Sequence, residues 1–233
     1  VREPDPREYT HERLGEKFAE ALSVYDTARR IEVLVDTFLG EERLRGKKAL
    51  DVGTGLGFFA ARMKELGAVV TAVDIGPQLL ARVRDTVGCE CYCVDVLSLT
   101  DFFGPDRFDV VVSSECIEHT PDPNAALCQM AAVLKPGGYL AVSTPNKLWW
   151  PVVRAATLLK LRPFDGYENF STFASIRNTL GKVNVQVLQE VGIHLFPFQL
   201  PLHRWSRWCD RHLQFLRGLM INLCVLGQKR TTR

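Results

Sequence analysis

The chain of 233 residues is 46% hydrophobic and 24% charged, with a formal net charge of +2, which suits one α/β core and is short for two. It holds no run of 18 uncharged apolar residues and opens on no charged segment followed by a long apolar one, so neither a spanning helix nor a secretory leader is expected. Seven cysteines without a C-x-x-C pair argue against a disulfide scaffold or zinc ribbon and for a reducing, cytoplasmic setting.

From the N-terminal side, Phe18, Leu22, Tyr25, Ile31, Leu34, Val35 and Phe38 recur at three and four residues, so the period predicts a helix over Leu14 to Leu39. Ala49 to Val52 form an apolar strand that runs into Gly53-Thr54-Gly55-Leu56-Gly57 and a second helix start. Gly53 and Gly55 permit backbone conformations and approaches that a Cβ would forbid, and Gly57 lets the helix pack on the sheet. The helix N-terminus offers unpaired amides to a ligand. Three glycines can also make a plain strand-to-helix turn, so the context decides.

That context is a series of strands ending in polar residues. Val69 to Asp74 places an acid 21 residues after Gly53, the spacing of a carboxylate that holds ribose hydroxyls. Cys91 to Asp95 ends in another acid, and Cys89, Cys91 and Cys93 alternate so as to share one strand face. Phe108 to Ser114 is a fourth strand, and the Lys135-Pro136-Gly137-Gly138 turn leads to a fifth, Tyr139 to Thr144. Phe170 to Val191 reads as a helix, Gly192 to Phe196 as a sixth strand, Leu202 to Leu219 as a basic helix with Trp205 and Trp208, and Ile221 to Gly227 as the last strand. Basic charge is gathered late: residues 203 to 233 hold seven Lys or Arg against one acid, and 147 to 164 hold four against none.

The D-x-G-x-G-x-G loop, Asp74, the Asp95 strand end and the L-K-P-G-G turn together resemble the class I S-adenosylmethionine-dependent methyltransferases, and the chain also resembles the ubiquinone-biosynthesis O-methyltransferase group within them. Nicotinamide-binding loops instead read G-x-G-x-x-G. The resemblance, strongest over residues 45 to 146, implies a Rossmann-like three-layer sandwich with a seven-stranded, mostly parallel sheet and an antiparallel last strand. It implies one domain over 1–233: a helical lid at 1–44, a cofactor-binding half at 45–146, and an acceptor side at 147–233 with the last two strands. Cofactor contacts are expected from Asp51, Gly53, Thr54, Gly55 and Gly57, from Asp74 to the ribose, Ile75 beside the adenine, Asp95 and Val96 near its amino group, and Ser114 and Glu115 beyond the fourth strand. In related enzymes a leading helix meets the methionine carboxylate, and Tyr25 and Arg29 stand in a suitable stretch, with Arg30 beside them.

Glu115, Glu118 and His119 fall at i, i+3 and i+4, so a helical turn would put them on one face where they could ligate a divalent ion. The same E-x-x-E-H pattern resembles both the ubiquinone group and small-RNA 2′-O-methyltransferases, whose acceptors present adjacent oxygens. Mg²⁺ bound there would lower a hydroxyl pKa. Alternatively His119, with Glu118, serves as catalytic general base without a metal, or the segment is a structural turn. The function expected is O-methylation of a small aromatic, lipid-like or natural-product acceptor. The alternatives are N- or C-methylation of a sugar or natural product, and a non-catalytic, membrane-docked accessory protein with this fold. The tryptophans and cations of 147–164 suit peripheral membrane contact or a pocket lid. No zinc finger, RNA-binding aromatic signature or strong net charge points to nucleic acid.

Overall fold

A computed structural model describes residues 24–158, 166–196 and 203–231 of the chain. Helix α1 (Val24–Ile31) runs into a π-helical segment (Glu32–Leu39) and the short α2 (Gly40–Leu44). Then come β1 (Lys48–Val52), α3 (Phe58–Glu65), β2 (Val69–Asp74), α4 (Pro77–Val87), β3 (Glu90–Cys93), α5 (Leu99–Phe103) and β4 (Phe108–Ser114). A 3₁₀ turn (Ile117–His119), α6 (Pro123–Val133) and β5 (Leu134–Pro145) follow, with a second 3₁₀ turn (Lys147–Trp149) and α7 (Trp150–Leu158). The chain closes with α8 (Phe173–Lys182), β6 (Val185–Ile193), α9 (His203–His212), a 3₁₀ segment (Gln214–Leu219) and β7 (Asn222–Lys229).

The seven strands form one sheet in the order β3-β2-β1-β4-β5-β7-β6, with every pairing parallel except the two that β7 makes. Both faces are covered, as the apolar strands require. Alternation along each strand assigns the faces: Leu50, Val111, Leu140, Val142 and Val225 pack with Leu127 and Met130 of α6 and Ile176 and Leu180 of α8. Ala49, Val110, Val112, Ala141 and Cys224 face Leu34, Val35 and Phe38 of the π-helical segment and Phe59 and Met63 of α3. Helix α4 packs Leu80 and Val83 on Ala72 and Cys91.

The register aligns the carboxyl ends of the central strands, with Val52 beside both Val73 and Ser113 and Asp74 beside Cys93. Gly53, Ile75, Val94 and Glu115 therefore leave the sheet at one edge. The strand order reverses between β1 and β4, and loops on either side of such a switch point diverge to leave a crevice.

Several predicted elements change: the leading helix turns π-helical at Glu32, and β5 starts at Leu134, so the expected turn at Lys135 to Gly138 is an irregular stretch inside it with Gly137 at φ 82°. The expected helix over Phe170 to Val191 is α8, which ends at Lys182, and β6 starts at Val185 rather than Gly192. Asn184, left-handed at φ 58°, turns the chain, and a bulge between Val187 and Gln189 breaks the period of two that would have marked a strand. The expected helix over Leu202 to Leu219 is α9 followed by a 3₁₀ segment. The part of the leading helix before Val24 lies outside the described residues, as do residues 159–165 of the tryptophan-rich insertion. Cys91 is buried and Cys93 exposed, with the Cys89 and Cys91 sulfurs 3.9 Å apart, and all seven cysteines are free thiols.

Gly227 marks how tightly β7 sits between its neighbours: a Cβ there would lie 2.6 Å from Val185 Cγ1. Gly227→Ala is expected to cost about 1–3 kcal/mol, read as a lower urea midpoint with an unchanged slope. Val185→Ala in the same chain should return part of that loss, so that the two effects do not add. Strict additivity would mean that Gly227 answers to some other contact.

Candidate functional site

The crevice at the switch point is lined by Gly53 to Leu56 after β1, Asp74 and Ile75 after β2, Val94 to Val96 after β3, and Ser114 to Cys116, His119 and Thr120 after β4. Phe58 and Phe59 of α3 and Thr27 and Arg30 of α1 complete it. Ten of the expected site residues thus converge: Gly53, Thr54, Gly55, Asp74, Ile75, Asp95, Val96, Ser114, Glu115 and His119.

The glycine loop is held from below and from the side. Gly53 has φ 71°, and a Cβ on it would lie 2.6 Å from the Cys116 sulfur, so the position requires glycine both for its dihedral and for its space. Asp74 Oδ2 accepts from the Gly55 amide at 2.9 Å and Oδ1 from the Gly76 amide at 3.0 Å, fixing the carboxylate between the two loops it separates. Asp95 caps the 3₁₀ turn that follows it, accepting from the Leu97 amide at 3.0 Å. A cofactor with a ribose and an adenine would meet a preset acid on each of two neighbouring strand ends.

Three expected residues act from outside the cavity. Asp51 lies beneath the loop, 2% exposed, and its Oδ2 accepts from Thr54 Oγ1 at 2.7 Å and the Ala60 amide at 3.1 Å. Burial pushes its pKa up to about 7 despite those two bonds. Gly57 starts α3 with φ 79° and sets it close on Val83 of α4. Glu118, 1% exposed, points inward to Thr144 Oγ1 at 3.1 Å.

Helix α1 presents Arg30 to the cavity, in place of the expected Tyr25 and Arg29. Arg29 pairs instead with Glu32 at 3.1 Å and Asp210 at 3.4 Å, and Tyr25 packs its ring 5.6 Å from that of His194. Neighbours on a helix point about 100° apart, so the adjacent residue, named in the same stretch, is the one that faces the crevice. Arg30 is 5% exposed; it donates from Nη1 to Ser114 Oγ at 2.7 Å and from Nη2 to Asp26 Oδ2 at 2.9 Å. Its Nε is a buried donor with no hydrogen-bond partner among the described residues. Burial works against its charge, but Asp26, Glu115 and Glu118 outweigh it and hold the guanidinium ionised.

Glu115 faces the same end of the cavity. Ser143 Oγ donates to its Oε1 at 3.1 Å, which leaves the Ser114 hydroxyl hydrogen to serve Ser143 at 2.9 Å. Two serines therefore link the guanidinium to the carboxyl. Burial, and then the neighbouring Glu118, push the Glu115 pKa up to about 7, with Arg30 opposing. Glu118 is likewise pushed up to about 7 by burial.

The expected metal set does not assemble. Glu115 has a left-handed backbone at φ 52° and the turn after it is 3₁₀, so the i, i+3, i+4 facing of an α-helix is lost. Among the described residues, no group of three or more His, Cys, Asp or Glu is placed to hold a metal ion. His119 instead bonds through Nδ1 to the Tyr167 carbonyl at 3.1 Å, with Glu118 Oε1 3.9 Å from its Nε2. A carbonyl only accepts, so Nδ1 carries the hydrogen and the neutral ring keeps its lone pair at Nε2.

A family model described as "Methyltransferase domain" matches residues 24–218. Ubiquinone biosynthesis O-methyltransferase of Vibrio atlanticus is 34% identical over 160 residues, covering 65% of this chain and 67% of that protein. The Proteus mirabilis protein of the same name is 32% identical over 164 residues, covering 66% of this chain and 67% of its own. Among solved structures, the N-methyltransferase NodS of Bradyrhizobium japonicum, in complex with S-adenosyl-L-homocysteine, superposes with a TM-score of 0.68 over 97% of this chain and 100% of its own at 14% identity, a likeness of fold.

The buried acids set a pH dependence. Asp51 binds its proton more tightly folded, at about 7, than unfolded, near 3.9, so its stabilising contribution is complete below the unfolded value and is lost as pH rises through 7. Glu115 and Glu118 have the same sign. The unliganded protein should melt lower at pH 8 than at pH 5.5. Asp51→Asn should gain roughly 1–3 kcal/mol more at pH 8 than at pH 5, on the order of several °C in Tm. Parallel melting curves for the two proteins across that range would refute this.

Proposed function

The chain belongs to the methyltransferase domain family and is an S-adenosylmethionine-dependent methyltransferase; from that premise we propose that it methylates a hydroxyl oxygen of a small aromatic, lipid-like or natural-product acceptor. The observation that carries the reading is the place of His119, which lines the crevice beside the glycine loop and Asp74 with its Nδ1 bonded to the Tyr167 carbonyl. The names of the O-methyltransferase relatives support it.

In this reading Asp74 receives the ribose hydroxyls, Asp95 and Val96 with Ile75 frame the adenine, and the loop from Gly53 to Gly55 runs beside the methionine portion. Arg30 takes the cofactor's carboxylate and Glu115 its ammonium, at the two ends of the serine link. Residues 45–146 supply most of this cradle, α1 adds Arg30 to it, and 147–233 are read as the acceptor side. S-adenosylmethionine supplies an electrophilic methyl on a sulfonium. His119 Nε2 takes the proton as the acceptor oxygen attacks that methyl carbon, and the C–S bond breaks to leave neutral S-adenosylhomocysteine. Glu118 Oε1, 3.9 Å from the same Nε2, would stabilise the imidazolium that forms when Glu118 is itself ionised. The donor set does not fit a resident Mg²⁺, and no step here uses one.

Titration calorimetry with S-adenosylhomocysteine tests the cradle: Asp74→Ala should weaken binding at least about tenfold, since it removes the acid and unpins two loops. Turnover on catechols and phenols tests the base, with His119→Ala expected to lower kcat by about 10²–10⁴ while S-adenosylhomocysteine affinity holds within about threefold. A folded wild type that evolves no heat with S-adenosylhomocysteine would overturn the whole reading.

No helix among the described residues is long and apolar enough to cross a membrane. We propose peripheral contact through the insertion at 147–164, supported by Leu148, Val152 and Leu158, which are exposed, and by Trp150 under the Arg154 guanidinium. Trp149 Nε1 donates to the Leu219 carbonyl and so joins this segment to the end of the α9 region, where Trp205 and Trp208 are also exposed. Co-sedimentation should occur with vesicles containing anionic lipid and fade with added salt or in Trp205→Ala/Trp208→Ala. Equal recovery in the supernatant with and without vesicles would end the proposal.

A further inference from the structure

Behind Arg30, and outside the cavity it lines, stands a histidine that no step above employs. His194 follows β6, is 0% exposed, and holds a left-handed backbone at φ 62°. Its Nε2 lies 2.9 Å from Asp26 Oδ1, across 168 residues of sequence. The other oxygen of the same carboxylate, Oδ2, accepts from Arg30 Nη2 at 2.9 Å. Burial alone would raise the pKa of Asp26, but the Arg30 guanidinium and His194 hold its carboxyl below the usual range, so Asp26 is an acceptor at both oxygens and His194 Nε2 is the donor.

The geometry divides the work along this line. A carboxylate bound only by Arg30 can rotate about its own bonds and carry the guanidinium with it. Once Oδ1 is fixed by an imidazole rooted in the end of a strand, the plane of Asp26 is set, and with it the plane of Arg30. The anchor at His194 is firm: the Ile221 amide donates to its carbonyl at 3.1 Å, and the Tyr25 ring packs 5.6 Å away. With Nη1 given to Ser114 and Nη2 to Asp26, Nε is the donor left without a hydrogen-bond partner among the described residues, on a side chain that lines the cavity. A planar fork matches a carboxylate only when its plane is right.

We propose that His194 is a positioning residue for cofactor binding. Acting through Asp26, it orients Arg30 toward the carboxylate of the cofactor's amino-acid tail, and it touches neither cofactor nor acceptor. This rests on the reading above that Arg30 meets that carboxylate.

The test compares two ligands that share an adenosine and differ in the tail: S-adenosylhomocysteine, and 5′-methylthioadenosine, which has no carboxylate. His194→Ala should weaken the first about tenfold and the second less than about twofold, by calorimetry on full-length protein. His194→Gln, whose side-chain amide can donate where Nε2 did, should recover S-adenosylhomocysteine binding to within about threefold of wild type. If the alanine variant does not fold, the Gln variant and Asp26→Asn carry the comparison. In wild-type protein, nitrogen-labelled histidine NMR adds an independent readout, since the His194 Nε2–H signal should move with S-adenosylhomocysteine and stay with methylthioadenosine. Equal weakening of both ligands would reduce His194 to a structural residue, and unchanged binding of both would remove it from the site. Arg30→Met separates the two layers. If it weakens both ligands alike, the carboxylate reading of Arg30 fails. If it is selective for the tail while His194→Ala is not, only the role of His194 fails.

Discussion

A guanidinium taken almost wholly out of water is the constraint around which this site is built. Desolvating Arg30 costs several kcal/mol unless each of its donors and its charge are answered, and the answers come from four separate parts of the chain. Asp26 and Thr27 lie one turn back on α1, Ser114 ends β4, Ser143 lies on β5, and Glu115 opens the loop beyond β4. Replacing such a cluster with packed apolar side chains would often stabilise a fold. Its retention at the rim of a cavity, with Nε still to be answered, makes sense for a site that receives an anion.

The sheet makes this arrangement affordable in space. Because β1, β2, β3 and β4 end in register, four loops open at one level, and the order reversal between β1 and β4 leaves room between them. Acids gather on that edge in two kinds. Asp74 and Asp95 are engaged with backbone amides that shape the loops, so their carboxylates serve the local fold at the edge of the cavity. Asp51 and Glu118, both buried, and Glu115, half-buried beside Glu118, have their pKa values pushed up to about 7, and a cationic ligand would ease the ionisation of those close to it.

What could be read from sequence was what neighbours in sequence decide. The glycine loop and Asp74 are local patterns that stand where the pattern put them, while β3 ends at Cys93, two residues short of Asp95, and β5 begins at Leu134, ahead of the L-K-P-G-G glycines. Arg30 was one residue from the expected Arg29, a matter of helix phase that no period can fix while a π-helical segment follows. The E-x-x-E-H trio misled because its facing depends on α-helical geometry, and Glu115 breaks that geometry with a positive φ rarely taken by glutamate. His194 had no local signature: its meaning lies in a bond to Asp26 that only the tertiary fold creates. The bulge in β6 hid a strand for the same reason, since its regularity is with β7 and not along itself.

Family membership leaves the acceptor open, because the same fold appears in relatives named for methylating oxygen and in a neighbour named for methylating nitrogen. In this chain the cavity and the C-terminal α9 are nonetheless joined through α1. On one side it carries Arg30 into the cavity; on the other, Arg29 pairs with Asp210, and Glu32 at the start of the π-helical segment with Arg207, both partners on the tryptophan-bearing α9. Asp26 meets His194 between them. A shift of α9, whatever it docks against, would therefore be felt first at α1, and through Asp26 at the guanidinium. An acceptor-side element can drift in sequence without disturbing the glycine loop, but it cannot drift without a new solution for the buried charges that hold α1 in place.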